Sequence, residues 1–166
     1  MDTAEPDTND REGSDAVKCK VYGAFKDDLL SKDFCFSEGI HVALMGKKYK
    51  HHDDDLIWGH ISRNEIHGSG YEAYGKPLLN MSISKNKGGI HIDGDDIVWD
   101  NAYITAHAIV MYASYTHRLV GSFIFDHGLT CNRKFIIEWN DKGVIYEPNP
   151  DEPPQYLTSY LEGGIH

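Results

Sequence analysis

The sequence predicts a mainly β protein: a β-sandwich or jelly-roll-like single domain with one or two short helices and extended termini. Three observations carry this. Apolar and polar residues alternate over short runs such as "GIHVALMG" (39–46) and "LLNMSISKN" (78–86), the period of a strand with one buried face. Two denser apolar runs, "YITAHAIVMYAS" (103–114) and "RLVGSFIFD" (118–126), have the composition of strands covered on both faces. Helical periodicity is scarce. At 166 residues the chain is long enough for one domain with a sizeable core.

In chain order, "AFKDDLLSKDF" (24–34) offers a helical turn or two, with Phe25, Leu29 and Leu30 on one side. Ile40, Val42 and Leu44 then mark the first alternating strand, which ends at Gly46. In "HHDDDLIWGHISRNEI" (51–66), Ile57, Trp58 and Ile61 share one helical face. Asp53, Asp54 and Asp55 stand just before it, placed to cap its free N–H groups and meet the positive end of its dipole. The glycine-rich loop "HGSGYEAYG" (67–75) follows. Next comes a half-exposed strand with Leu79, Met81 and Ile83 on one face. "GGIHIDGDDIVWDN" (88–101) divides at "DGDD" into two short strands, with Ile90 and Ile92 on the first and Ile97 and Trp99 on the second. "SYTHR" (114–118) joins the two dense runs as a hairpin, and "KFIIEWNDKGVIYE" (134–147) reads as another hairpin around "NDKG".

The charge is unevenly placed. Of the net −10, residues 1–16 carry −5 (six acids, one arginine) and residues 147–166 carry −4 (four acids, no lysine or arginine), leaving −1 for residues 17–146. The organisation expected is an acidic flexible arm (1–16), a β-rich body (17–146) and a proline-rich acidic C-terminal arm (147–166). The first arm holds too few apolar residues to offset the entropy of ordering. The second opens with Pro148, Pro150, Pro153 and Pro154, which favour extended backbone, and ends in an apolar pattern of Tyr156, Leu157, Tyr160, Leu161 and Ile165. Nucleic acid is not an expected partner, since no basic stripe exists and acidic arms repel phosphate. No run approaches the roughly 18 apolar residues of a membrane span, and the acidic start does not read as a signal peptide. Cys19, Cys35 and Cys131 have no paired spacing and read as reduced thiols of a protein made in a cytoplasm.

Catalytic signals are weak. His51 and His52 are adjacent and diverge on either a strand or a helix, so they do not aim at one ion. "DGDD" lacks the glycine and glutamate spacing of a calcium loop. The ten histidines are scattered, and His91 and His107 read as strand residues with one hydrogen bond. No nucleophile elbow or phosphate-cradling glycine motif occurs. No catalytic residue, metal or cofactor is therefore assigned. The core accounts for most of the 19 aromatic residues. Tyr71 and Tyr74, in their glycine-rich loop, are the candidates for partner contact, together with Tyr156, Leu157, Tyr160, Leu161 and Ile165 of the C-terminal arm.

The order of the segments "IHVALMGKKY" (40–49), "HDDDLIW" (52–58), "DGDDIVWDN" (93–101), "AHAIVMY" (106–112), "RLVGSFIFD" (118–126) and "FIIEWNDKGVIY" (135–146) resembles that of a group of small virion proteins of tailed bacteriophages. The resemblance runs from about residue 39 to 146 and includes neither arm. This chain departs from the group in being richer in histidine and tyrosine. The resemblance implies a virion structural protein without catalytic residues. The expected role is capsid decoration (cement): a symmetric homo-oligomer, such as a trimer, on the major capsid protein or another virion protein, with no membrane contact. A tail or neck component is the alternative. A metal-dependent hydrolase using His51, His52 and Asp53–Asp55 is the rival from another class.

Overall fold

The computed structural model describes residues 17–31, 38–86, 89–139 and 144–146. Both arms lie outside them. The protein is mainly β, with one short helix. In order the elements are β1 (Val17–Val21), α1 (Gly23–Ser31), β2 (Ile40–Met45), β3 (Lys76–Pro77), β4 (Ser82–Asn86) and β5 (Gly89–Asp93). Then come β6 (Ile97–Asp100), β7 (Ile104–Ala113), β8 (Leu119–Cys131), β9 (Lys134–Ile137) and β10 (Val144–Tyr146). The main sheet is antiparallel, in the order β1-β8-β7-β2-β3. Two smaller pairings complete the sheets: β10-β5-β4 and β9-β6.

The main sheet is covered on both faces, as the dense apolar runs predict. One face carries Val42, Leu44, Ile109, Met111 and Phe123 and packs on Ile92, Ile97, Trp99, Phe135 and Ile137 of the smaller sheets, giving two β layers. The other face carries Ala43, Met45, Ala108, Val110, Tyr112 and Leu119 and is covered by Tyr22, Tyr49, Trp58 and Ile61. Each fully buried side chain of this size contributes about 1.5–3 kcal/mol. A bulge explains how β7 serves both layers. Its register against β8 slips between Ala106 and Ala108. Up to Ala106 the even positions face the first layer; beyond the slip it is the odd ones, Ile109 and Met111. One extra residue therefore reassigns every later side chain.

Hairpin "SYTHR" forms as expected, with His117 N–H donating to the Ala113 carbonyl (2.9 Å) and Ala113 N–H to the Arg118 carbonyl (2.8 Å). The Glu38 carboxylate accepts the backbone N–H groups of Tyr115 and Thr116 in its turn.

Three local expectations are corrected. Asp53, Asp54 and Asp55 do not cap a helix: the segment forms two short 3-10 turns, Trp58–His60 and Ser62–Asn64, and Ile57 at the first boundary makes no side-chain cap. Trp58 and Ile61 are buried as expected, but Ile57 is exposed and bridges to Arg118. Near 78–81, Leu78 rather than Leu79 is buried, because a turn with Asn80 in the left-handed region precedes the strand and resets its phase. The third concerns "KFIIEWNDKGVIYE", whose two runs do not pair with each other. β9 pairs with β6 and β10 with β5. Partner numbers sum to 234 along the first ladder (Lys134 with Asp100) and to 236 along the second (Val144 with Ile92). The two ladders run in the same antiparallel sense with a two-residue offset between them, and beside "DGDD" the Trp139 indole N–H donates to the Asp95 carbonyl (3.1 Å). Long-range pairing wins because it puts Trp99, Phe135 and Ile137 into the core.

Candidate functional site

Three segments meet above the second face of the main sheet and leave a half-open cleft of about 370 Å³. Ile57, Trp58, Gly59, Ser62, Glu65, Ala73, Tyr74 and His117 line it. The first wall is fixed by backbone bonds to the hairpin: Trp58 N–H donates to the His117 carbonyl (2.8 Å) and Leu119 N–H to the Leu56 carbonyl (3.0 Å). The two 3-10 turns then reverse the chain and lay Glu65 beside β2, with Gly46 N–H on the Asn64 carbonyl (2.7 Å) and Ile66 N–H on the Leu44 carbonyl (3.1 Å).

The second wall is the loop 71–75, anchored by the same glutamate. Oε2 of Glu65 accepts both the Tyr71 hydroxyl (2.5 Å) and the Tyr74 backbone N–H (2.8 Å). The Tyr112 hydroxyl donates to the Tyr74 carbonyl (2.6 Å). Held at both backbone groups, Tyr74 takes a left-handed conformation (φ 77°) and keeps its ring 56 % exposed at the cleft mouth. His117 opposite is also left-handed (φ 66°). The rings form a stack behind the opening: Trp58 lies on Tyr112 at 4.7 Å, His117 meets Tyr112 edge-on at 5.6 Å, and Trp58 and Tyr74 are 6.5 Å apart, tilted by 51°.

Glu65 is the one formal charge in the lining and is only 9 % exposed. Burial pushes its carboxyl above the usual range, opposed by the bonds from Tyr71 and Tyr74. Its second oxygen, Oε1, receives no hydrogen bond from any described residue and is not sealed from solvent. Trp58 Nε1 is buried without a partner. Burial likewise raises the Tyr71 and Tyr112 phenols, so both stay protonated donors. The site can hold a ligand through the exposed ring of Tyr74 and one acceptor. It presents no activated nucleophile.

A second polar cluster lies under the same face. His51 joins Ser122 Oγ through Nδ1 (2.8 Å) and Asp53 Oδ1 through Nε2 (2.7 Å), and its ring packs on Tyr22 with centroids 4.1 Å apart. The Tyr22 and Tyr49 hydroxyls meet at 2.5 Å. These are the residue types of a hydrolase triad, but Ser122 sits mid-strand with no exposed surface, so no acyl group reaches its Oγ. The cluster clamps segment 49–53 onto β8 instead. Burial lowers the His51 pKa, partly countered by Asp53, and raises those of Tyr22 and Tyr49. Both His51 nitrogens are committed to protein partners, while His52 is exposed. Among the described residues no group of three or more His, Cys, Asp or Glu side chains is arranged to hold a metal ion.

Of the partner-contact residues expected from sequence, Tyr74 is exposed at the cleft. Tyr71 is half-buried, its hydroxyl shared between Glu65 and the Leu44 N–H (3.0 Å), its ring 5.8 Å from that of Trp99. Tyr156, Leu157, Tyr160, Leu161 and Ile165 lie outside the described residues. Cys131 is a buried free thiol donating to the Ala102 carbonyl, and His107 keeps a buried Nδ1 without a partner rather than the expected hydrogen bond. Sequence reasoning missed Trp58, Glu65, Tyr112 and His117 as one group because two distant stretches, 58–65 and 112–117, supply them. No helix among the described residues is long and apolar enough to cross a membrane. Compared with family models, curated proteins and solved structures, the chain matches none.

Proposed function

We propose that the chain is a structural protein of a tailed-bacteriophage virion: a capsid decoration (cement) protein whose β body sits on the major capsid protein lattice and whose arms clamp neighbouring subunits. The observation that carries the reading is the order of the six motifs. They fall in sequence on β2, the cleft wall up to Trp58, β6, β7, β8 and the β9–β10 region, and all but the second belong to strands of the sheets. The charge partition supports it: a nearly neutral body between two acidic arms suits attachment to a repeated surface, with arms that order on contact. So does the surface. Tyr115 is 86 % exposed, and Leu56, Ile57 and Tyr74 are exposed nearby, apolar area available to a partner.

The test is attachment. Purified protein is mixed with capsids lacking it and occupancy is measured by sedimentation. A variant ending at residue 146 should melt like the full chain but lose most of its occupancy. Equal occupancy of the two forms overturns the clamping role, and imaging that places the protein on the tail replaces the capsid assignment with the tail one.

A further inference from the structure

We propose that the cleft between Trp58 and Tyr74 receives a basic side chain of a partner protein, a lysine ammonium or an arginine guanidinium, with Oε1 of Glu65 as its charge partner. Three features select this chemistry. First, the lining contains one carboxylate and no lysine or arginine, and the chain as a whole carries −10, so an anionic ligand meets only repulsion. Second, Glu65 is nine-tenths buried yet has one oxygen unclaimed by any described residue. Its other oxygen is saturated by Tyr71 and Tyr74, which fixes the carboxylate in place. A carboxylate held this way is ready for a charge-assisted hydrogen bond, roughly twice as strong as a neutral one. Third, the exposed ring of Tyr74, backed by the buried Trp58 6.5 Å away, supplies a negative π face at the cleft mouth that attracts an organic cation.

Small residues leave the room. Gly59, Ser62 and Ala73 are among the lining residues, and a Cβ at Gly59 would meet nothing nearer than Ile57 Cδ1 at 3.8 Å. The exposed apolar rim of Leu56, Ile57 and Tyr74 suits a side chain delivered by a protein surface, because such a surface also covers the rim. The identity of the occupant rests on the chain being a partner-binding protein. The test of the site uses no partner, so failure here leaves that reading standing.

The experiment is a titration with N-acetyl-arginine amide and N-acetyl-lysine amide, followed by the indole N–H signals in NMR. The Trp58 signal is identified with Trp58→Phe. A saturable shift of the Trp58 signal is expected with at least one of the two probes, and Glu65→Gln should weaken it about tenfold, the loss of about 1.4 kcal/mol. Gln keeps an acceptor for Tyr71 and Tyr74. Tyr74→Gly, which suits the left-handed backbone while removing the ring, should weaken binding in the same direction, and thermal melting establishes that both variants fold. Absence of a saturable shift with either probe, unchanged affinity in Glu65→Gln, or an equal shift with neutral glucose each overturns the proposal. Putrescine binding far more tightly than either capped residue also overturns it, by making a free amine the occupant.

Discussion

At Gly75 the backbone is left-handed (φ 76°), and an added Cβ would stand 2.0 Å from the Val42 carbonyl oxygen. Neither the conformation nor the space admits a side chain, so Gly75→Ala should cost about 2–4 kcal/mol in chemical denaturation, strain adding to overpacking. His51 makes the pH prediction. Its folded pKa is depressed below 6.5, mainly by burial. The unfolded chain therefore takes up a proton first as pH falls, and stability present above about pH 6.5 is lost below it. His41, lowered by burial and by His117, acts with the same sign. Melting temperatures between about pH 7 and pH 5 should decline less steeply in His51→Gln than in the wild type; parallel curves would contradict this. The sequence hid this clamp: 71 positions separate His51 from Ser122, and neither stands in a recognisable motif. Tyr74 was legible because a tyrosine in a glycine-rich loop has few ways to be covered.

Between elements, the clearest bond is the one from Asp28 of α1 to Arg118 at the start of β8. Arg118 donates through Nε (3.0 Å) and through a terminal guanidinium nitrogen (2.7 Å), a two-pronged pair with Asp28 nearly buried. Asp28→Ala should cost about 1–3 kcal/mol, less than a fully buried pair because Arg118 is one-third exposed. A smaller change in urea midpoint would show that the helix is held by apolar contact alone. Elements were legible where burial is regular: β2, β7 and β8 declare themselves by composition, and α1 by its short apolar pattern. They were illegible where the decision is non-local. "NDKG" looks like a tight turn, yet β9 finds its partner 34–40 residues away and β10 finds its partner 52–56 residues away. Three aspartates look like a cap, yet the following chain forms only two 3-10 turns before Asn64 and Ile66 bond to the end of β2, which leaves no length for an α-helix.

At the scale of the whole molecule, the buried residues among those described run from Val21 to Ile137. This core lies wholly before residue 147, which is why the form ending at residue 146 should keep its melting temperature while losing attachment. The two-layer plan was legible from the double-sided apolar runs. The cleft was not, since it exists only where three loops converge. One detail at the rim of the main sheet has a further effect. Leu78 N–H donates inward to the Ile40 carbonyl (2.8 Å), so the alternation of the strand turns the nitrogen of Pro77, which bears no hydrogen, outward. A strand approaching from that side finds no donor to zip onto. This flank of the main sheet is therefore guarded against edge-to-edge joining, which lowers the risk of fibre growth through it when many copies are crowded together.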